Sequence, residues 1–175
     1  RDTAGRHVTL GTNFRSSTAM VEAVNRVFRF AEAHPTGRGA FLFRSPQGDN
    51  PVPFLSVAAK GRKDALTRDG KPLPAMTLWH LTGDDEGISK GAYFQEMASR
   101  CATRMAELLR EGQAGRTGFG APGEPFRALK PSDLAVLVNN GNEAKAIRGA
   151  LLERGIKSVY LSDKEGVFET PAALE

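Results

Sequence analysis

Apolar residues recur at helical spacing in three parts of the chain. The clearest pattern covers residues 92–110, whose apolar positions are Phe94, Met97, Ala98, Cys101, Ala102, Met105, Leu108 and Leu109. Positions three and four residues apart lie on one side of an α-helix, which predicts a helix with one buried face. The same spacing predicts a helix that opens near Ser16, Ser17 or Thr18 and ends at about residue 33. A third helix is expected over residues 143–153, with Asn142 as its N-cap and Gly155 as its C-terminal glycine.

The main strand candidates are the apolar-rich segments at residues 76–81, 134–138 and 156–161, of which residues 134–138 form a continuous apolar run. Such runs are typical of strands that are buried on both faces of a parallel sheet. Alternating strands and helices over residues 76–161 therefore predict right-handed βαβ units and a three-layer α/β domain. Shorter strand candidates are residues 7–10, which precede the first helix, and the edge-strand candidate at residues 53–58.

Two stretches have no clear period. Residues 34–73 are rich in turns and are expected to form a variable insert. Residues 111–125 contain five glycines and are expected to be a mobile connection. The cluster Lys60, Arg62 and Lys63 is interpreted as solvated surface.

Composition and charge set wide limits. The 175 residues are 40% hydrophobic and 25% charged, which is typical of one globular domain. The net charge of +4 permits a polyanionic partner. The single cysteine, Cys101, excludes an internal disulfide, and the three histidines have no metal-ligand spacing. We expect no membrane span, no membrane partner and no bound metal in this chain.

The candidate chemistry lies in the turn that precedes the first helix, where the sequence reads LGTNFRSS at residues 10–17. Phe14 and Arg15 stand side by side at the expected edge of a sheet, which is where ligands bind in open α/β folds. An aromatic ring can stack on a base, and a guanidinium suits phosphate. Taken alone, Phe14 would more often be a core residue and Arg15 a solvated one, while Asn13 could simply bond the turn backbone.

Residues 9–17 resemble motif IV of superfamily 1 DNA helicases of the UvrD/Rep type. The resemblance continues into the helix that follows, at Val21, Val24, Asn25 and Phe28. The resemblance implies that Phe14 stacks on the adenine of ATP and that Arg15 acts as a catalytic arginine finger. It also implies an incomplete second RecA-like (P-loop NTPase-type) lobe over residues 1–175, with a truncated helix at 171–175. Phe14 stands where that family usually has Tyr or Trp, and Asn139 where many members have Arg.

The later blocks are similar to the RecB branch of the same superfamily, the beta subunits of exodeoxyribonuclease V. These blocks read PAMTLW at residues 74–79, DLAVLV at 133–138, SVYLSD at 158–163 and VFET at 167–170. The resemblance implies a larger bacterial cytoplasmic enzyme, a helicase and nuclease that repairs double-strand breaks by recombination. ATP and Mg²⁺ would be bound mainly by the first lobe, and this chain alone would be inactive.

The partners implied by the resemblance are single-stranded DNA, duplex ends, the first motor lobe, and the gamma and alpha subunits of the complex. Tyr160, Ser162 and Lys164 are candidate contacts to single-stranded DNA, although an ordinary strand end fits them equally well. The acidic loop at residues 84–86 is interpreted as solvated. A different class stays open as the alternative, namely a non-catalytic RecA-like module that serves assembly.

Overall fold

The computed structural model describes residues 10–83, 87–121 and 123–161, and the chain divides into two compact units. Unit 1 comprises residues 1–80 and 115–128, and unit 2 comprises residues 81–114 and 129–175. The fold is mixed α/β, with three helices and two small sheets in the part described.

Unit 1 contains one helix, α1 (Thr18–Ala33), and six short strands. The strands are β1 (Thr12–Asn13), β2 (Ala58–Ala59), β3 (Ala65–Arg68), β4 (Lys71–Pro72), β5 (Thr117–Gly120) and β6 (Arg127–Ala128). β1 and β2 form a parallel pair, and the other four form an antiparallel sheet in the order β4-β3-β5-β6.

The N-cap of helix α1 is Ser17, whose Oγ accepts a hydrogen bond from the Met20 N–H at 3.4 Å. This bond satisfies one of the backbone N–H groups in the first turn that have no partner inside the helix. On its inner side, the Phe28 ring lies 5.6 Å from that of Phe41 and 5.3 Å from that of Phe54. Residues from the turn-rich insert therefore complete the apolar contacts of α1.

Unit 2 is built on helices α2 (Lys90–Gln113) and α3 (Gly141–Leu152). Its core consists of small α2 residues, Ala98 and Ala102, packed against Ile147 and Leu151 of α3. Because the α2 residues are small, the two helices can approach closely. The residues in this core belong to the apolar faces predicted for the two helices, which are thereby confirmed. Cys101 packs beside this core as predicted.

Polar contacts close the same helix pair at its end. The Arg154 guanidinium donates to Ser99 Oγ at 2.9 Å and to Thr103 Oγ1 at 3.2 Å, both on α2. Gly155 has φ +73°, and the N–H of Ile156 donates to the Leu151 carbonyl at 2.9 Å. This Schellman geometry confirms Gly155 as the glycine that ends α3.

Several sequence-based expectations differ from the structure. The N-cap of α3 is Asn140, whose Oδ1 accepts from the Glu143 N–H at 3.1 Å, so the prediction of Asn142 is wrong. Of the strand candidate at residues 7–10, residues 7–9 lie outside the described residues and Leu10 is not in a strand; the first strand of the described part is β1. The edge strand expected at residues 53–58 is wrong for residues 53–57, since β2 covers only Ala58 and Ala59.

The glycine-rich connection at residues 111–125 is not a simple loop, because it contains the end of α2 and all of β5. β5 is covered on both sides by β3 and β6, and Gly118 lies against the Arg127 carbonyl, where a Cβ would overlap it. Glycine permits this close backbone approach.

The apolar runs at residues 76–81, 134–138 and 156–161 contain no strand in the part of the chain described. Trp79, which lies in the first of these segments and would be a core residue in a strand buried on both faces, is 42% exposed. The three-layer parallel sheet therefore stays a prediction. The helix expected at residues 171–175 lies outside the described residues.

Candidate functional site

The turn that carries Phe14 and Arg15 is fixed by the side chain of Asn13. Its Oδ1 accepts from the backbone N–H groups of Arg15 and Ser16, at 2.8 Å each. An asparagine that bonds the backbone two and three residues ahead imitates a backbone turn. The side chain of Asn13 thus bonds the turn backbone, which is one of the two roles considered for it from the sequence.

Strand β2 supports the same turn from the side. The N–H of Ala58 donates to the Gly11 carbonyl at 2.9 Å, and the N–H of Lys60 donates to the Asn13 carbonyl at 2.8 Å. Asn13 is therefore held through its side chain and its carbonyl, which leaves little freedom at the base of the turn.

A buried amide on α1 holds β2 in this place. Asn25 is only 8% exposed, and its side chain bonds both backbone groups of Val57. Its Nδ2 donates to the Val57 carbonyl at 2.8 Å, and its Oδ1 accepts from the Val57 N–H at 3.1 Å. Helix and strand are thereby joined by two hydrogen bonds of the kind that a neighbouring strand would supply.

Gly61 closes the arrangement by backbone contact. A Cβ at this position would overlap the Ser16 carbonyl oxygen and lie 2.9 Å from the Ser16 nitrogen and 3.0 Å from the Arg15 carbonyl carbon. Only glycine lets the chain pass this close to the turn.

The side chains of Phe14 and Arg15 face solvent, while the backbone of their turn is held in place. Phe14 is 68% exposed and Arg15 is exposed. Among the described residues, no carboxylate pairs with the Arg15 guanidinium. Lys60, which is also exposed, follows β2 directly beside Asn13. The turn thus presents an aromatic ring and cationic groups on a fixed backbone, an arrangement suited to a purine and phosphate.

The supporting residues are the part of the site that sequence reasoning missed. Asn25 carried a signal, because it is a polar residue inside the apolar stripe of α1 formed by Val21, Val24 and Phe28. A buried polar side chain of this kind needs a partner. Nothing in the sequence marks Gly61 as part of the site, because its contact is with Ser16, 45 positions earlier in the chain.

The remaining site candidates are not brought to this turn by anything the structure describes. Tyr160 belongs to unit 2, where it is half-buried, and Ser162 and Lys164 lie outside the described residues, as does the acidic loop at 84–86. Within the described ranges, His, Cys, Asp and Glu residues form no group that could hold a metal ion. Burial raises the pKa of the Cys101 thiol, which does not favour a reactive thiolate.

In the part of the chain that is described, no helix has the length and apolar character to cross a bilayer.

Comparison with known proteins gives a consistent set of relatives. The chain is 37% identical over 171 residues to the RecBCD enzyme subunit RecB of Escherichia coli K12, a match that covers 97% of this chain. It is 30% identical over 184 residues to the same subunit of Mycobacterium tuberculosis H37Rv and 29% over 174 residues to that of Haemophilus influenzae.

No protein-family profile matches the chain. The chain spans only 13–14% of the length of these three relatives. The three alignments nevertheless cover 97–99% of this chain. The chain therefore belongs to the RecB family, of whose members it covers one segment.

Proposed function

We propose that this chain forms part of the second RecA-like motor lobe of an ATP-dependent DNA helicase and exonuclease subunit. The protein would repair double-strand breaks by recombination in the bacterial cytoplasm. The observation that carries the proposal is the position of Arg15, exposed beside Phe14 on a turn whose backbone is fixed from within the chain. The similarity to RecB subunits supports it independently.

Each residue of the turn has a distinct part in this proposal. Phe14 would offer its exposed ring face to the adenine, and Arg15 would reach the γ-phosphate from the second lobe. Bound ATP supplies the phosphoryl group, and a guanidinium stabilises the charge that develops as it is transferred. Asn13 would hold Arg15 in place through the two bonds to the turn backbone.

The residues present fit such a ligand. A phosphate-directed arginine needs a guanidinium that is not already neutralised, and no described carboxylate pairs with Arg15. Stacking needs an open ring face, and Phe14 is largely exposed. The phosphate loop and the Mg²⁺ ligands would come from the first lobe. The other partners would be single-stranded DNA, duplex ends, and the alpha and gamma subunits. Tyr160, Ser162 and Lys164 stay candidates for the DNA track.

The test is DNA-stimulated ATP hydrolysis by the full-length protein that contains this chain. Arg15→Ala should lower the rate by roughly 10³-fold or more, because a supplied arginine is worth ~10³–10⁵-fold in nucleotide hydrolases. Arg15→Lys should recover little of it, since an ammonium lacks the planar fork. Thermal melting should be unchanged, because an exposed side chain contributes little to the core.

Arg26→Ala is the matched control, since Arg26 is exposed on α1, two to three turns beyond Arg15. This variant should hydrolyse ATP normally. Near-normal hydrolysis by a well-folded Arg15→Ala protein would remove Arg15 from the chemistry. It would leave the non-catalytic assembly module as the better account of this chain.

A further inference from the structure

Lys60 lies at the end of the parallel strand pair, beside the start of the candidate turn. The last pair in the register joins Asn13 to Ala59, so Phe14 and Lys60 are the next residues of the two segments. The N–H of Lys60 donates to the Asn13 carbonyl at 2.8 Å. That carbonyl belongs to the peptide group between Asn13 and Phe14, so the backbone of Lys60 is bonded directly to the base of the turn.

The residue that follows Lys60 is also held against the turn. A Cβ on Gly61 would lie 3.0 Å from the Arg15 carbonyl carbon and closer still to the backbone of Ser16. Lys60 is therefore fixed by a hydrogen bond on its own nitrogen and by a close backbone contact at the next residue. Its side chain starts from a defined point beside the turn, although the two segments are 45 positions apart in the chain.

The charge of Lys60 has no counter-charge in the described part of the chain. The sequence pattern groups Lys60 with Arg62 and Lys63 as solvated surface, but the structure divides this cluster. The Arg62 guanidinium donates to both carboxylate oxygens of Asp64, one of them at 2.8 Å. Lys60 is exposed, and none of the described carboxylates forms an ion pair with it. Lys60 thus keeps its full charge for another partner.

Two uncompensated cations are consequently anchored at one rigid turn, since Arg15 also lacks a described carboxylate. Like charges on a shared, fixed backbone repel each other, and a bound anion relieves that repulsion. The two cations differ in chemistry. A guanidinium is a planar fork that matches one phosphate in a fixed orientation, whereas an ammonium is a compact point charge with three rotatable donors.

We propose that Lys60 is a second phosphate-binding residue of this turn and binds the α- and β-phosphates of the nucleotide. The inference rests on the proposed function and deepens it, because that function gives no part to Lys60. In a nucleoside triphosphate these phosphates lie between the base, assigned to Phe14, and the γ-phosphate, assigned to Arg15. Lys60 stands beside Phe14, at the base end of that order. A lysine binds phosphate as a point charge, without the exact alignment that an arginine needs.

The two cations should therefore contribute to different steps. The α- and β-phosphates are bound equally in the nucleotide complex and in the transition state, so a contact to them raises affinity and leaves kcat unchanged. Arg15 acts on the γ-phosphate, where charge develops as the phosphoryl group is transferred. ADP keeps the α- and β-phosphates and lacks the γ-phosphate. Binding of ADP should consequently depend on Lys60 and be independent of Arg15.

The experiment measures equilibrium binding of ADP with Mg²⁺ by the full-length protein that contains this chain. Lys60→Gln should weaken ADP binding by roughly tenfold, which is the worth of one hydrogen bond to a charged group. The KM for ATP should rise by a similar factor with kcat unchanged, as expected when a contact common to ground and transition states is lost. Lys60→Arg should recover most of the ADP affinity, because the positive charge is kept.

Lys63→Gln is the matched control, since Lys63 is an exposed lysine three residues further along the same segment. It removes one charge and should leave ADP binding unchanged. An equal loss in Lys63→Gln would overturn the proposal, because the effect would then come from overall charge. Unchanged ADP binding by a Lys60→Gln protein with a normal melting curve would also overturn it. So would a fall in kcat as large as the rise in KM, since the turn itself would then have moved.

The outcome is separable from the test of Arg15. Arg15→Ala should bind ADP normally, even where it has lost ATP hydrolysis. Normal hydrolysis by Arg15→Ala would end the arginine-finger role and leave a Lys60-dependent affinity for ADP standing. ADP binding that is unchanged in Lys60→Gln would exclude Lys60 and leave the role of Arg15 standing.

Discussion

The turn at residues 13–16 and the apolar run at residues 134–138 obtain their support from different places. The turn is closed by hydrogen bonds that all come from within unit 1, from Asn13 itself, from β2 and, through Val57, from Asn25. In the run, Val138 packs on the α2–α3 core, but Leu137 is 97% exposed. The polar groups of the turn find their hydrogen-bond partners inside this chain, whereas part of the apolar surface of residues 134–138 stays exposed.

The same contrast holds for the other apolar runs. Leu78 is 78% exposed, and Val159 and Leu161 are 85% and 89% exposed. Large exposed apolar surface of this kind marks a place where another part of a protein packs. The parallel sheet expected from these segments stays a prediction, which the following variants test.

The most direct test of this difference is to truncate one buried leucine and one exposed leucine. Leu151→Ala removes a core side chain that is 3% exposed and should cost about 2–5 kcal/mol of unfolding free energy. Leu137→Ala should cost no more than about 0.5 kcal/mol in this chain, since its side chain touches mainly solvent. Denaturant unfolding of the two variants measures both values.

Leu137→Ala should become costly in the longer protein, by about 2–5 kcal/mol of local opening free energy, if residues 134–138 form a buried strand there. Hydrogen exchange of the backbone amides in this run reports that local value. Fast exchange and no effect of the substitution in the longer protein would contradict the parallel-sheet prediction.

The next largest effect is expected at Gly61, which tests the supported side of the comparison. Gly61→Ala places a Cβ against the Ser16 backbone and should cost about 1–3 kcal/mol, because backbone atoms cannot move aside as a side chain does. In the full-length protein it should also lower ATP hydrolysis, since the Arg15 turn must shift. Denaturant melts and turnover rates of the same preparation measure the two effects.

Gly149→Ala is the matched control for Gly61. Gly149 lies inside α3, and a Cβ there meets no atom within 4 Å. Alanine is the better helix former, so this variant should gain about 0.5–1 kcal/mol. If Gly61→Ala were as well tolerated, the close contact between Gly61 and Ser16 would not hold in solution.

The helices could be predicted from sequence because their information is periodic and local. The apolar face of α2 repeats at helical spacing from Phe94 to Leu109, about four turns, and the packing of Ala98 and Ala102 follows from it. The turn at Asn13 was predictable for a similar reason, since an asparagine in a turn can accept from the backbone N–H groups two and three residues ahead of it.

The antiparallel sheet could not be predicted in this way. Its strands are two to four residues long, and β5 reads Thr-Gly-Phe-Gly, a composition typical of a loop. The strand exists because it pairs with β3, where Thr67 faces Gly118 from 51 positions earlier in the chain, and because Gly118 allows Arg127 and Phe126 to approach its backbone. The parts of the candidate site that escaped sequence reasoning, above all Gly61, share this property.

A smaller effect is expected from the buried amide that links α1 to β2. Asn25→Ala leaves the N–H and carbonyl of Val57 without their side-chain partners and should cost about 1–2 kcal/mol. Asn25→Asp keeps an acceptor for the Val57 N–H but sets a buried carboxylate against the Val57 carbonyl, so it should cost at least as much as Asn25→Ala. Equal stability of all three proteins in urea would show that this link does not hold β2 beside the turn.

The smallest effect concerns pH and the insert that packs on α1. The pKa of Glu32 lies below its ordinary value of 4.5, chiefly because the Ala40 N–H donates to the carboxylate at 2.8 Å. The side chains of Asn50 and Arg44 also donate to it, at 2.8 Å and 3.0 Å. A lowered pKa in the folded state means that the stabilisation is present above the ordinary value and is lost as the pH falls towards the folded pKa.

We therefore expect the melting temperature to decline below about pH 4.5, and Glu32→Gln to flatten that decline, because glutamine has no charge to lose. The effect should be modest, since the carboxylate is partly exposed and its pairing with Arg44 is screened by solvent. Glu22→Gln, which removes a carboxylate from an exposed position on the same helix, controls for the change in net charge. If Glu22→Gln flattened the acid limb as much as Glu32→Gln, the decline would reflect overall charge and not the contact between Glu32 and residues 40–50.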